Sequence, residues 1–287
     1  MHQMGVQEDE VMKKLVSILL AAVLVMAVIT GCGKKEAEEE NAEGNNTDKA
    51  EVTFTVGFDA EFPPYGYRDE NGEYVGFDLD LAAEVAKRNE WKLVKQPIDW
   101  DAKDMELSSG AIDCIWNGFT INGREDQYTW SQPYVDNSQV VVVASESGIK
   151  AKADLAGKVV AVQKDSSALA ALNDEENKEN IALRDSFKEL IEYADYNTAF
   201  MDLEQGAVEA VAIDIGVAQY QIEKRETGAF VMLDEKLATE QYGVGFKLGN
   251  EELRDTVQKT LDEMVTDGTF MKIAEKWGLT DSVCLGK

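Results

Sequence analysis

Residues 158–172 read KVVAVQKDSSALAAL. A short apolar run, 159–162, ends in a polar stretch, and a Ser then stands before a second apolar segment. The first run has the length and β-branched content of a buried strand. The Ser marks a helix start, because its side-chain oxygen can accept from an amide the first turn leaves unpaired. The same succession has already run once: strand at 52–58, helix at 79–88 with Asp78 as its cap, strand at 92–96, helix at 102–109, strand at 111–116. Residues 158–172 are therefore a restart. Repeated strand–helix alternation predicts α/β halves built on parallel strands.

Working outward, Asn71-Gly72 turns a hairpin over 67–76. Residues 139–144 (QVVVVA) are an extended segment ahead of the restart. Beyond it, 153–156 reads as a helical turn, 186–193 as helical and 203–206 as a helix end. Residues 208–213 then read as a strand, 217–225 as a helix and 240–246 as a strand-like piece. Two amphipathic helices over 251–277 close the chain. No Gly- or Pro-rich linker separates the halves, so two lobes joined by extended segments enclose a cleft. The lobes are expected over 52–138 plus 239–287, and over 139–238.

Charge and composition exclude much. The 287 residues carry 28 Lys+Arg against 55 Asp+Glu, a net charge of −27. Residues 1–51 hold only five of the basic residues and ten of the acids, so the acidity belongs to the folded part. Such a chain gains nothing from phosphate contacts, and no nucleic-acid partner is expected. The single His is His2. If that end is removed, no imidazole is left for a Ser-His-Asp triad or a His-ligated metal. No P-loop, metal-spaced Cys pair or EF-hand pattern is present, so no cofactor and no metal is implied.

At the N-terminus, Lys13 and Lys14 precede the apolar run LVSILLAAVLVMAVI, residues 15–29. This is signal-peptide anatomy, and the run is shorter than a membrane span. Ile29-Thr30-Gly31-Cys32 follows, an aliphatic and two small residues before Cys. The pattern resembles the bacterial lipobox, which implies a signal peptide over 1–31 and a lipidated Cys32 tied to the membrane. Glu8, Asp9 and Glu10 contradict a basic leader, and translation is expected to start at Met12. Residues 32–51, rich in Glu and poor in apolar groups, read as a disordered tether. Cys114 sits in an apolar stretch and Cys284 near the end; a disulfide between them is open in an exported protein.

In open α/β sheets ligands sit beyond the C-terminal strand ends. After the first strand come Asp59, Glu61, Phe62 and a Pro-Pro, either a turn with solvated acids or a polar wall with an aromatic face. After the third come Gly118, Thr120 and Arg124, whose guanidinium fork matches a carboxylate. Ser167 heads a helix, and Asp214 stands at the end of the 208–213 strand, as a helix cap or a cation partner. An anion site and a cation site together suit a zwitterion.

These segments resemble the extracytoplasmic solute-binding proteins of polar amino acid ABC transporters. The likeness runs over about 52–280 and rests on FPPYGY with GFDLD, then WNGFTINGRE, DLAGKVVAVQ, VEAVAID, QYGVGF and DGTFMKIAEKWG. It implies a two-lobed, type II periplasmic-binding-protein-like fold that closes over its ligand. It also implies a monomer that delivers the amino acid to ABC permease subunits. Carried over by residue, it gives Arg124 the ligand carboxylate, with Thr120 and Gly118 flanking and Ser167 assisting. Asp214 takes the α-ammonium, and Asp59, Phe62 and Trp100 face the side chain. The chain departs from the family in having one residue fewer between Thr120 and Arg124, and in Gln163, where some members have a basic residue.

Two other classes stay open at this point. An enzyme on the same scaffold, a cyclohexadienyl or arogenate dehydratase, would use Asp59 and Glu61 as acid and base. A receptor's sensing module would carry a membrane span after Lys287, where this sequence ends.

Overall fold

The computed structural model describes residues 51–287. The signal-peptide, Met12, Cys32 and tether expectations lie outside the described residues. The first half of the chain carries β1 (Thr53–Phe58), β2 (Glu61–Phe62), β3 (Gly66–Arg68), β4 (Tyr74–Val75), α1 (Phe77–Arg88), β5 (Lys92–Pro97), α2 (Lys103–Ser109), β6 (Cys114–Thr120), β7 (Tyr128–Trp130) and β8 (Val135–Ala144). The second carries β9 (Val159–Gln163), α3 (Ser167–Asn173), α4 (Lys178–Ser186), β10 (Glu189–Tyr193), α5 (Tyr196–Gln205), β11 (Ala210–Asp214), α6 (Ile215–Glu223), β12 (Phe230–Met232), β13 (Ala238–Lys247), α7 (Glu251–Thr266) and α8 (Thr269–Lys276).

The main sheet has the order β10-β9-β11-β8-β13-β6-β1-β5. Its two ends are parallel, as the alternation predicts: β5, β1 and β6 at one, β10, β9 and β11 at the other. Its centre is not. Strands β8 and β13 pair antiparallel with each other, and each pairs antiparallel with the neighbouring end, β11 or β6. The sheet is therefore mixed rather than parallel. The two ten-residue strands return the chain from one lobe to the other, so each must run against the strands it leaves or joins.

Packing explains why the sequence patterns resolve this way. In β1 the alternating Phe54, Val56 and Phe58 are all buried, and α1 lays Leu81, Ala82, Val85 and Ala86 against the sheet. Helices α7 and α8 add Val257, Leu261, Met264, Phe270 and Ala274 to the same core. A second cluster joins the alternate face of β9 (Val160, Val162) to Val141 and Val143 of β8 and to Leu172 and Leu183. Each fully buried aliphatic side chain is worth roughly 1.5–3 kcal/mol. Among the described residues no helix is long and apolar enough to cross a membrane.

Two local expectations fail for physical reasons, and one question left open is answered. Asp78 does not cap α1; the cap position is Gly76, and no side chain bonds there. Asp78 is instead fully buried, accepting from the Gly118 N–H at 2.6 Å and from Tyr134 Oη at 2.8 Å. Residues 186–193 are not helical. Phe187, Leu190 and Ile191 have helical spacing, but pairing in parallel with β9 makes Glu189–Tyr193 the strand β10. The Cys114 and Cys284 thiols do not pair.

Gly76 connects this geometry to the cleft. Its φ is +150°, and a Cβ there would lie 2.1 Å from the Tyr65 carbonyl oxygen. That approach seats the first turn of α1, where the Asp78 N–H donates to the same carbonyl at 3.0 Å. Gly76→Ala is expected to cost roughly 2–5 kcal/mol from strain plus overpacking. Urea denaturation measures it, and an unchanged midpoint would contradict the reading.

Candidate functional site

The residues expected at the strand ends lie around the central strand pair. Strand β6 is longer than expected and runs through Thr120, so Gly118 and Thr120 are strand residues rather than loop. Gly118 has no room for a side chain: a Cβ would lie 2.9 Å from Phe62 and 3.0 Å from the Tyr242 ring. The chain then turns, with the Arg124 N–H donating to Ile121 O at 2.9 Å and Gly123 at φ +78°. The left-handed conformation at Gly123 is one that glycine adopts without steric cost.

Arg124 is half-buried and stacks over Phe119, with Cζ 5.4 Å from the ring centroid. Its Nη1 donates to Ser167 Oγ at 3.0 Å and to Thr120 O at 3.4 Å, and its Nη2 to Asp165 O at 3.5 Å. All three acceptors are uncharged. Among the described residues no carboxylate pairs with this guanidinium. Ser166 rather than Ser167 caps α3, accepting from the Leu169 N–H at 3.1 Å, which leaves Ser167 Oγ for Arg124.

Asp214 ends β11 and is buried. It makes no capping bond to α6, so the cap explanation fails. Its Oδ1 accepts from Asn137 Nδ2 at 2.8 Å, Gln139 Nε2 at 2.6 Å and Tyr242 Oη at 2.6 Å. Burial, then the nearby Glu240 carboxylate, push its pKa up. Thr120 joins the same network by donating from Oγ1 to Glu240 Oε1 at 2.8 Å.

Asp59 stands beyond β1, 6% exposed. Its Oδ2 accepts from Gln163 Nε2 at 2.7 Å and its Oδ1 from the Glu61 N–H at 2.8 Å. Burial nevertheless pushes its pKa up to about 6. Phe62 packs between Tyr65 and Tyr196, at 5.8 and 6.1 Å between centroids. Trp100 Nε1 donates to Asp165 O at 3.3 Å, and the Lys103 ammonium sits 5.1 Å from its ring while pairing with Asp165.

The expected residues thus fall into two groups. Arg124 and Ser167 line a cavity of about 210 Å³ that Glu240 also lines. Asp59 and Trp100 line another of about 580 Å³, together with Glu61, Asp101, Glu106, Asp195 and Lys164. Phe62, Gly118, Thr120 and Asp214 are buried and line neither cavity. Several participants were not anticipated: Asn137, Gln139, Glu240, Lys103, Asp165 and Tyr242. A usable signal existed for the first two, since Asn137 and Gln139 alternate as polar residues leading into a Val-rich strand.

A buried two-sided polar cleft between α/β lobes, with a guanidinium on one side and acids on the other, defines a small-molecule binding protein. The chain belongs to the bacterial extracellular solute-binding proteins, family 3, whose model matches residues 54–280. The L-cystine-binding protein TcyJ of Escherichia coli is 29% identical over 261 residues, 90% of this chain and 94% of that protein. The arginine-binding extracellular protein ArtP of Bacillus subtilis is 27% identical, covering 93% and 98%. Among solved structures, a Streptococcus pneumoniae ABC uptake transporter substrate-binding protein with bound histidine superposes with TM-score 0.74 at 34% identity, covering 78% and 92%. An ancestral arginine-binding protein bound to glutamine gives 0.70 at 36%, covering 79% and 98%.

The buried acids make a pH prediction. Desolvation raises Asp59 to about 6 and Asp78 to about 7, and raises Asp214 too. Each binds its proton more tightly folded than unfolded. Their contribution is complete below the unfolded pKa and is lost as pH rises through the folded value. Asp267, held low by Thr269 and Arg88, acts oppositely, losing its contribution only in acid. Unfolding free energy should therefore fall by about 2 kcal/mol or more between pH 5 and pH 8. Urea titrations across that range measure it, and a rise would contradict the assignment.

Proposed function

We propose that this protein binds a polar L-amino acid outside the cell membrane and hands it to an ABC importer by ligand-dependent closure of its lobes. One observation carries the reading. Arg124 offers a guanidinium with only uncharged partners, while Asp214 and Glu240 are buried acids that form no ion pair among the described residues. Burying either charge of a zwitterion alone would be costly, and this site has a counter-charge for each. Arg124 takes the carboxylate with Ser167 assisting and Thr120 and the Gly118 carbonyl flanking, and Asp214 takes the α-ammonium. Asp59, Phe62 and Trp100 face the side chain.

The lobes are 52–138 with 239–287, and 139–238; the β8–β13 pair at the sheet centre supports that division. The lipobox pattern at 29–32 supports a signal peptide ending at Gly31 and a lipid anchor on Cys32, with the protein acting as a tethered monomer beside its permease. Acids outnumber the single Lys164 around the larger cavity, which favours a cationic or neutral polar side chain over an acidic one. Relatives that bind cystine and arginine agree with that preference. Nothing among the relatives favours the dehydratase alternative.

Thermal-shift screening of the twenty amino acids, ornithine and cystine on the full chain should give stabilisation by RT ln(1 + [L]/Kd) with a cationic or neutral polar ligand and none with Asp or Glu. Calorimetry should then show Arg124→Ala weakening that ligand by roughly 100-fold or more, as for loss of a buried charge partner. Its unfolding free energy should change by less than about 1 kcal/mol. Unchanged affinity would remove Arg124 from the site.

A further inference from the structure

Asp214 and Glu240 are 4% and 5% exposed. Asn137 Nδ2 donates to both, at 2.8 and 2.6 Å, and Gln139 Nε2 donates to both, at 2.6 and 2.7 Å. Two carboxylate oxygens that share two donors are close neighbours. The strand register enforces it: Asp214 stands opposite Gln139 and Glu240 opposite Asn137, so the four side chains lie together across β11, β8 and β13. These bonds orient both amides, and they leave Asn137 Oδ1 and Gln139 Oε1 buried with no donor. The hydrogen bonds to the acids fall on Asp214 Oδ1 and Glu240 Oε1, so the second oxygen of each carboxylate receives no donor among the described residues. The cluster is rich in acceptors and lacks a cation.

We infer that Glu240 is the second acid of the ammonium subsite, and that Asp214 and Glu240 share one proton which the ligand's ammonium displaces, so that one proton leaves for each amino acid bound. The inference rests on the amino-acid reading above. Two carboxylates this close and this buried do not both stay ionised without a cation. The balance is simple. The protonated member loses its proton to solvent, both carboxylates become anions, and the –NH3+ group keeps its three protons and donates to acceptors that now lack donors. No other group facing the pair supplies this exchange. Tyr242, Tyr65 and Tyr196 are buried phenols pushed well above their ordinary pKa. Arg124 lines the Glu240 cavity but bonds elsewhere. Lys236, Asp136 and Asp281 line a further cavity of about 530 Å³ that Glu240 and Asn137 also line, and none of them bonds to either acid.

The test uses the full chain with L-arginine, L-glutamine and L-cystine as probes. Calorimetry near pH 6 in phosphate and in imidazole gives the proton count from the dependence of binding heat on buffer ionisation heat. The expected value is close to one released for wild type and close to zero for Glu240→Gln. That variant should still bind, at least tenfold more weakly, with a shallower loss of affinity below pH 6. Saturable binding with no proton released, or equal release by Glu240→Gln, overturns the inference. Side-chain 13C NMR of the wild type without amino acid is the independent arm. Two well-separated titration steps shared by Asp214 and Glu240 support it, and two ordinary carboxylate titrations overturn it. Absence of binding by all three probes, with the separated steps intact, counts against the amino-acid reading and the displacement step but not against the shared proton.

Discussion

The antiparallel register of β8 against β11 and β13 is the constraint on which the rest depends. It places Gln139 opposite Asp214 and Asn137 opposite Glu240, and it puts Tyr242 of β13 opposite Thr120 of β6. Because side chains alternate along a strand, a one-residue slip would turn every one of these groups to the other face. The Val-rich stretch after Gln139 anchors β8 on both faces, Val140 and Val142 in one apolar cluster and Val141 and Val143 in the other, and a slip would carry Asn137 and Gln139 away from Asp214 and Glu240. Hydrophobic burial on both faces of β8 thus holds a polar network that would be unfavourable on its own account.

The same strand explains why the site is acidic and yet ordered. Buried carboxylates without cations are expensive, and the amides of Asn137 and Gln139 provide only part of the compensation. The remainder comes from protonation, which the depressed dielectric of the site favours. Arg124, which lines a cavity with Glu240, has the opposite arrangement: it keeps some contact with water, lies over Phe119 and uses Ser167 Oγ and two carbonyls as acceptors. The molecule keeps its two unlike charges apart, each adequately but not fully satisfied.

Much of this was legible in the sequence. The restart at 158–172 and the strand-end positions of Asp59, Arg124, Ser167 and Asp214 follow from local pattern alone. What was not legible follows from pairing between distant strands. The central strands are antiparallel because the chain returns between lobes, which no local periodicity records. The spacing of Phe187, Leu190 and Ile191 fits a helix, and only the neighbouring β9 makes it a strand. Asp78 looks like a cap because it precedes an apolar stripe, yet its partners are Gly118 and Tyr134, 40 and 56 residues away. Glu240 read as the start of a strand; its nearness to Asp214 depends on the register of β8.

The cleft contacts bear on how closure is balanced. Gln163 reaches Asp59, Lys103 reaches Asp165, Asn197 reaches Glu61 and Arg124 reaches Ser167, each joining elements on opposite sides of the β8–β13 pair. Each has a charged partner and replaces bonds to water that the open cleft would offer, so each nets roughly 1.5–3 kcal/mol. Together they offset the desolvation of Asp59 and Lys103 on closing. A ligand moves such an equilibrium only by its difference in affinity between the two states. A molecule that engaged Arg124 alone, on one side, would bind open and closed forms alike and shift little. One that engages Arg124 and Asp214 together gains its second contact only on closing. A cleft with one charge from each lobe therefore selects for ligands carrying both charges at a short fixed distance, whatever their side chain.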